Sequence, residues 1–163
     1  MDGTKLALGA AVALALVGAL RKTGSKSQQA DDKVDAWLQA NRLYHGTSLP
    51  RWERMKAGGP TTEPLYLAAD RDHTLMYVQF ATENDTDEFD LDDVDGVIIT
   101  FDLNAMKRLG KLMPDWHDLW EAYHRGETEL PPSEMTWLDS LAWGGTVSYE
   151  GPLSEAIIEV EIV

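Results

Sequence analysis

Fifteen consecutive apolar or glycine residues, Leu6 to Leu20, stand at the front of this chain and end abruptly at Arg21 and Lys22. The run divides the 163 residues into an oily segment and a remainder of ordinary domain size, with room for one core rather than two. As a helix the run would cover roughly 22 Å, short of a hydrocarbon core of about 30 Å. Three readings stay open: a marginal membrane anchor, an apolar helix buried against a partner protein, and a cleaved signal peptide. The last is weakened by Asp2 beside Lys5 and by the lack of a clean small-x-small site directly before the basic cluster. As an anchor, with Arg21, Lys22 and Lys26 behind it, the segment would keep the following domain cytoplasmic. The division expected is therefore an apolar helix at 1–22, a polar linker rich in Ser, Gln and Lys at 23–32, and a folded domain at 33–163.

Charge follows the same division. Residues 1–30 carry Lys5, Arg21, Lys22 and Lys26 against Asp2, a net of +3, which leaves −17 for the rest out of a total of −14. Such a field repels a phosphate backbone, and the cations form no stripe interleaved with aromatics, so nucleic acid is not an expected partner. No Cys is present, which excludes disulfides, thiolate metal sites and cysteine nucleophiles. Six Trp and five Tyr supply enough large apolar surface to fold without such staples.

Local signals alternate between helix and strand, giving an α+β class. Val34, Trp37 and Leu38 mark a helix over Asp31 to Ala40, followed by a strand from Arg42 into Gly46. Ser48 can cap a helix that carries Trp52 and Met55 and stops at Gly58. Pro64 to Ala69 reads as a strand, and Asp70 as the cap of a helix presenting Leu75, Met76, Val78 and Phe80 to a core. Glu83 to Asp95, with eight acids in thirteen residues, reads as a solvated loop, because its spacing fails the calcium-loop pattern at Phe89. Gly96 to Leu103 is an apolar strand. Trp116, Leu119, Trp120 and Tyr123 give a helix with one aromatic buried face. Ser133 opens another helix through Trp137, Leu138 and Leu141, and strands over Gly145 to Glu150 and Ala156 to Val163 flank the Gly151-Pro152 turn.

Two segments carry candidate chemistry. Leu43-Tyr44-His45-Gly46-Thr47-Ser48 delivers a His, a Gly and two hydroxyls just before a helix. Pro64-Leu65-Tyr66-Leu67-Ala68-Ala69-Asp70 is followed by a helix bearing Thr74 and Tyr77. In this order and spacing, with Tyr77 eleven residues after Tyr66 and Thr74 three before Tyr77, the chain resembles the ADP-ribosyltransferase superfamily. The likeness is to the branch of the poly(ADP-ribose) polymerases and small bacterial and phage transferases. It runs from Leu43 to the end, and only these two motifs are sharp.

The resemblance implies a split mixed β-sheet with short flanking helices, NAD as substrate, no metal, and ADP-ribose transfer to a macromolecular acceptor with release of nicotinamide. It would make the chain a small toxin-like or phage-type effector. Backbone N–H and C=O of Gly46 would hold the nicotinamide carboxamide, with Thr47 beside it and Thr74 adding a hydrogen bond. His45 would bond an adenosine ribose hydroxyl, and Tyr66 and Tyr77 would sandwich the ring. Members that form ADP-ribose bonds carry a Glu early in the penultimate strand, which corresponds here to Gly144 to Thr146, where no acid stands. Glu150 is the nearest catalytic candidate, together with Tyr66; Asp139 is a weaker one. Related tRNA 2′-phosphotransferases are a weaker match, because they need a cationic site for RNA phosphate and this domain is acidic overall.

Two other readings stand beside this one. His117, Glu121 and His124 share one side of a helix at metal-ligand spacing, although Trp116, Leu119, Trp120 and Tyr123 already define its buried face and make a solvated polar face the better reading. A noncatalytic structural protein retaining the fold, with membrane or virion-particle contact through Leu6 to Leu20, is the alternative to an enzyme.

Overall fold

The computed structural model describes residues 26–58, 64–89, 93–128 and 130–163. The expected apolar helix at 1–22 lies outside the described residues. Among the described residues, no helix is long and apolar enough to cross a membrane.

Helix α1 (Lys26–Ala40) leads into β1 (Arg42–Ser48), α2 (Leu49–Gly58), β2 (Leu65–Ala68), α3 (Arg71–Phe89), β3 (Gly96–Asp102), α4 (Leu103–Leu109) and β4 (Lys111–Pro114). There follow α5 (Trp116–His124), a 3-10 turn (Pro132–Glu134), α6 (Trp137–Gly144), β5 (Thr146–Glu150) and β6 (Ile157–Ile162). The strands form one six-stranded sheet in the order β4-β5-β2-β1-β3-β6. Every pairing is antiparallel, so the α+β class holds while the expected mixture of strand directions does not. Antiparallel neighbours need a connection only at one end of the sheet, which short elements such as α2 supply.

Pairing is uneven in one place. β1 and β3 stay in register from Arg42↔Asp102 to Ser48↔Gly96, whereas β1 and β2 share only Tyr44↔Ala68. β2 in turn pairs with β5 along its length, from Leu65↔Tyr149 to Ala68↔Thr146. The sheet is therefore least closed between β1 and β2.

Alternation along the strands assigns the two faces. Leu43, Leu65, Leu67, Val97, Ile99, Phe101, Val147 and Tyr149 share one buried cluster with Trp52, Leu103, Met106 and Leu141, against which Trp37 and Met55 pack. Each fully buried side chain of this size is worth about 1.5–3 kcal/mol relative to leaving it in water. The buried Tyr149 phenol stays satisfied by donating to the Pro152 carbonyl at 3.1 Å. Helix α3 covers the other face, and its stripe of Thr74, Val78, Ala81 and Asp85 follows helical spacing toward the sheet. At the β6 edge, Arg71 of α3 reaches Glu161 at 2.7 Å and ties helix to strand.

Several local expectations are corrected by these contacts. Helix α1 begins at Lys26 and takes up part of the expected linker, since Gln, Lys and Ala prolong a helix at little cost once its later turns exist. Helix α3 runs on through Phe89 into the stretch expected to be a solvated loop. Asp85 is the reason: it is fully buried, accepts from the Ser48 hydroxyl, and takes the Arg51 Nε at 2.6 Å. Of the side chains expected to face a core from α3, Val78 is buried but Leu75, Met76 and Phe80 are exposed. The small residues of that helix can approach the sheet closely, and the large ones cannot. In α5 the buried positions are Leu119 and Ala122, and Trp116, Trp120 and Tyr123 are exposed, contrary to the aromatic inner face expected. Strand β4 and helix α4, the latter capped by Asp102 through the Ala105 N–H at 2.6 Å, had no clear local signal.

Candidate functional site

The poorly closed seam between β1 and β2 opens into a cleft of about 680 Å³, within the range of small-molecule and cofactor sites. Its walls come from six elements. Strand β1 supplies Tyr44, His45, Gly46 and Thr47, β2 supplies Tyr66, and α3 supplies Tyr77, Phe80 and Asn84. Arg51 stands at α2, while Asp115, Asp118 and Thr146 come from the start of α5 and of β5.

Local chemistry sets these elements in place. The Ser48 side chain caps α2 by accepting from the Arg51 N–H at 3.3 Å, and Asp70 caps α3 by accepting from the Asp72 N–H at 2.8 Å. Helix α2 thus starts where β1 ends, and α3 starts where β2 ends. The two sharp motifs are thereby turned toward one another.

His45 bridges the seam. Its Nδ1 lies 2.8 Å from the Tyr66 carbonyl oxygen, and because a carbonyl only accepts, Nδ1 carries the proton. The neutral ring then leaves Nε2 as an acceptor. Burial pushes the imidazole below its ordinary value of 6.5, against the opposing effect of the Tyr66 carbonyl, so the neutral form prevails at neutral pH.

Gly46 is glycine for a reason other than ligand approach. A Cβ there would lie 2.5 Å from the Thr74 carbonyl oxygen and 2.9 Å from methyl groups of Thr74 and Val78. Its bare α-carbon admits α3, and its backbone lines the cleft as well. Thr74 does not reach the cleft: it is fully buried, and its hydroxyl donates to the Asp70 carbonyl at 2.9 Å. The expected carboxamide bond from Thr74 is accordingly replaced by a bond within its own helix. Thr47 is buried and lines the cleft. Tyr66, half exposed, and Tyr77 both face the cleft, one from the sheet and one from the helix above it.

Neither acid singled out from the sequence is at this site. Glu150 is exposed at the last position of β5, opposite Lys111 of the edge strand β4, whereas the cleft touches β5 at Thr146. Four residue steps along the strand separate Thr146 from Glu150, or about 13 Å. Asp139 is occupied in the capping box of α6, where it accepts from the Thr136 N–H at 2.7 Å. Of the possible metal ligands, His117 is largely exposed at the cleft rim, and His124 places Nδ1 against the Trp120 carbonyl at 2.9 Å.

The acids that do line the cleft are Asp115 and Asp118, which sequence reasoning passed over. Asp115 is buried and caps α5, accepting from the His117 N–H at 3.2 Å. Its own N–H donates to the Ser140 hydroxyl at 2.9 Å, and Ser140 donates to the Thr146 carbonyl at 2.9 Å, which locks α5 to the start of β5. Burial, and then the neighbouring Asp118, push the Asp115 carboxyl up, outweighing the hydrogen bonds it accepts. Asp118 accepts from the Thr146 hydroxyl at 3.2 Å. Burial, then Asp118 and Asp115, raise the Tyr77 phenol, which places the two acids within electrostatic reach of that ring. An Asp directly before Trp116 has the residue type of a helix cap, but no local signal relates it to the distant strand β5.

The other end of the cleft is cationic. Arg51 is held by Asp85 through Nε at 2.6 Å and a terminal nitrogen at 2.5 Å, leaving its guanidinium partly exposed at the cleft. The Asp85 carboxyl is buried, which acts to raise it, yet the Arg51 and Ser48 bonds prevail and hold it below its ordinary range. Comparison of the chain with family models, with curated proteins and with solved structures returns no match in any of the three.

Proposed function

We propose that the cleft binds NAD and that the protein is an NAD-dependent ADP-ribosyltransferase acting on a macromolecular acceptor, with an ADP-ribosyltransferase-like fold whose nicotinamide pocket lies in the β1–β2 seam. The observation that carries this reading is that His45, Gly46, Tyr66 and Tyr77, drawn from two distant motifs, line one cleft. A flat pyridine amide held between the strand tyrosine and the helix tyrosine would gain ring stacking of about 0.5–1.5 kcal/mol beyond buried area. The Gly46 backbone offers hydrogen-bonding groups to the amide, and the free His45 Nε2 accepts from a ribose hydroxyl.

Charge distribution supports the same ligand. NAD joins a diphosphate to a pyridinium, and the cleft joins an arginine at the Ser48 end of β1 to a pair of aspartates at the Tyr44 end. A charge-assisted contact from Arg51 suits the diphosphate, and the carboxylates suit the cationic ring and sugar.

The test is the full-length chain with NAD: calorimetry for binding and chromatography for free nicotinamide, with Tyr66→Ala beside it. Binding and release by the natural chain are expected, both weaker in the variant by about tenfold or more, which corresponds to the loss of one stacked ring. Neither binding nor release would overturn the reading in favour of a noncatalytic interaction protein. That second reading has one specific observation of its own, the exposed aromatic face of α5 formed by Trp116, Trp120 and Tyr123.

A further inference from the structure

We infer that Asp118 is the carboxylate that faces the reacting ribose, delivered from helix α5 rather than from strand β5. The inference rests on the NAD reading of the cleft and adds to it the group that stabilises the charge formed during reaction.

Chemistry defines what is needed. Breaking the bond between the nicotinamide nitrogen and the ribose C1′ sends the electron pair to the nitrogen, which leaves as neutral nicotinamide. The positive charge passes to C1′ and the ring oxygen as an oxocarbenium-like species. An acceptor nucleophile then bonds C1′ and loses its proton to solvent; where the acceptor is water, the products are ADP-ribose, nicotinamide and a proton. A preorganised carboxylate beside C1′ is the usual protein device for such a cation.

Geometry points to one residue. The start of β5 carries no acid, and Gly144 before it has no side chain. A Cβ built at Gly144 would lie 3.4 Å from Asp118 Oδ2 and 3.4 Å from Thr146 Oγ1. The Asp118 carboxylate therefore lies in contact range of the point where a side chain just ahead of β5 would begin. It is held there by the Thr146 hydroxyl at 3.2 Å and remains partly exposed toward the cleft it shares with Tyr77. Asp115 is a positioning residue: it caps the helix turn on which Asp118 stands, and its hydrogen bond to Ser140 fixes that turn against β5. Glu150, at the far end of the strand, has no part in this arrangement.

The experiment compares natural, Asp118→Asn and Glu150→Gln full-length chains for NAD affinity by calorimetry and for nicotinamide release under saturating NAD, with thermal unfolding as a check on folding. Loss of one preorganised electrostatic group lowers turnover by about 100- to 1000-fold. The expected result is that fall for Asp118→Asn with NAD affinity within about fivefold of the natural chain, and no change for Glu150→Gln. Asp118→Asn turning over at the natural rate, or Glu150→Gln losing turnover instead, overturns the inference while the NAD reading stands. A natural chain that binds NAD but releases no nicotinamide overturns it too, whereas one that does not bind NAD overturns the NAD reading itself.

Discussion

Replacing Gly46 by alanine tests how tightly the site is built into the fold. The added methyl would sit 2.5 Å from the Thr74 carbonyl oxygen, against an ordinary contact of at least 3.4 Å. Because that oxygen belongs to the backbone of α3, it cannot swing aside, and the helix must retreat by about 0.9 Å, the difference between those distances. Overpacking of this kind costs about 1–3 kcal/mol, with a backbone clash toward the upper end, while alanine regains about 0.5–1 kcal/mol over glycine within a strand. The net loss is then about 2 kcal/mol. For a domain of roughly 130 residues, with an unfolding entropy of about 2.1 cal/mol/K per residue, Tm falls by about 7 °C. Urea unfolding followed by tryptophan fluorescence gives the free energy, and calorimetry gives Tm. Gly58→Ala is the control, since nothing lies within 4 Å of a Cβ there and the position ends a helix. A Gly46→Ala variant as stable as the natural chain would show that α3 does not rest on β1 through this glycine. The retreat of α3 also carries Tyr77 away from Tyr66, so under the proposed NAD reading affinity for NAD should fall even under conditions where the variant is fully folded.

Arg51→Ala leaves the Asp85 carboxylate buried beside the Ser48 hydroxyl without its guanidinium, and should cost about 2–3 kcal/mol at pH 7, less than a fully buried pair because Arg51 is partly exposed. Asp85 titrates below its usual value when folded, so its contribution is present above about pH 4 and lost as pH falls through the folded value; the variant's deficit should therefore shrink in acid, and an equal deficit at pH 7 and about pH 3.5 would contradict this. His45 titrates below 6.5 when folded, so the unfolded chain binds the extra proton first and stability should drop as pH falls from about 6.5 toward the folded value. His45→Gln should lack that part of the pH dependence in urea titrations between about pH 7 and 5, and an unchanged slope would count against a neutral His45 held on the Tyr66 carbonyl.

Much of the framework was legible because its signals are local. Ser48 and Asp70 cap helices within three residues of themselves, and Val97 to Ile99 declares a buried strand by its own apolarity. The spacing of His45, Gly46, Tyr66 and Tyr77 carried through to a shared cleft, because each stands on an element whose start is set by a neighbouring cap or turn. What local pattern could not supply is which side of an element meets the rest of the chain. In α5 the periodicity of Trp116, Leu119, Trp120 and Tyr123 announced a helix, but small Ala122 and Leu119 pack inward and the aromatics stay in water. Asp85 sat in a run of acids indistinguishable from its solvated neighbours until Ser48 and Arg51, more than thirty residues earlier, met it across a sheet face.

The acid of the candidate site shows the same boundary. From sequence, Glu150 was the natural choice because it is close in the chain to the position where an acid was wanted. Strand register puts it about 13 Å away at the end of β5 remote from the cleft, and the Ser140 bonds bring Asp115 and Asp118 to the Thr146 end that lines it. Sequence by itself determined most of the elements, the Ser48 and Asp70 caps and the residue types on the two motif strands, since those depend on energies among near neighbours. Tertiary structure alone decided which carboxylates enter the cleft and which helix faces are buried, since those depend on pairings between segments about thirty residues apart whose cost and gain are shared by the whole sheet.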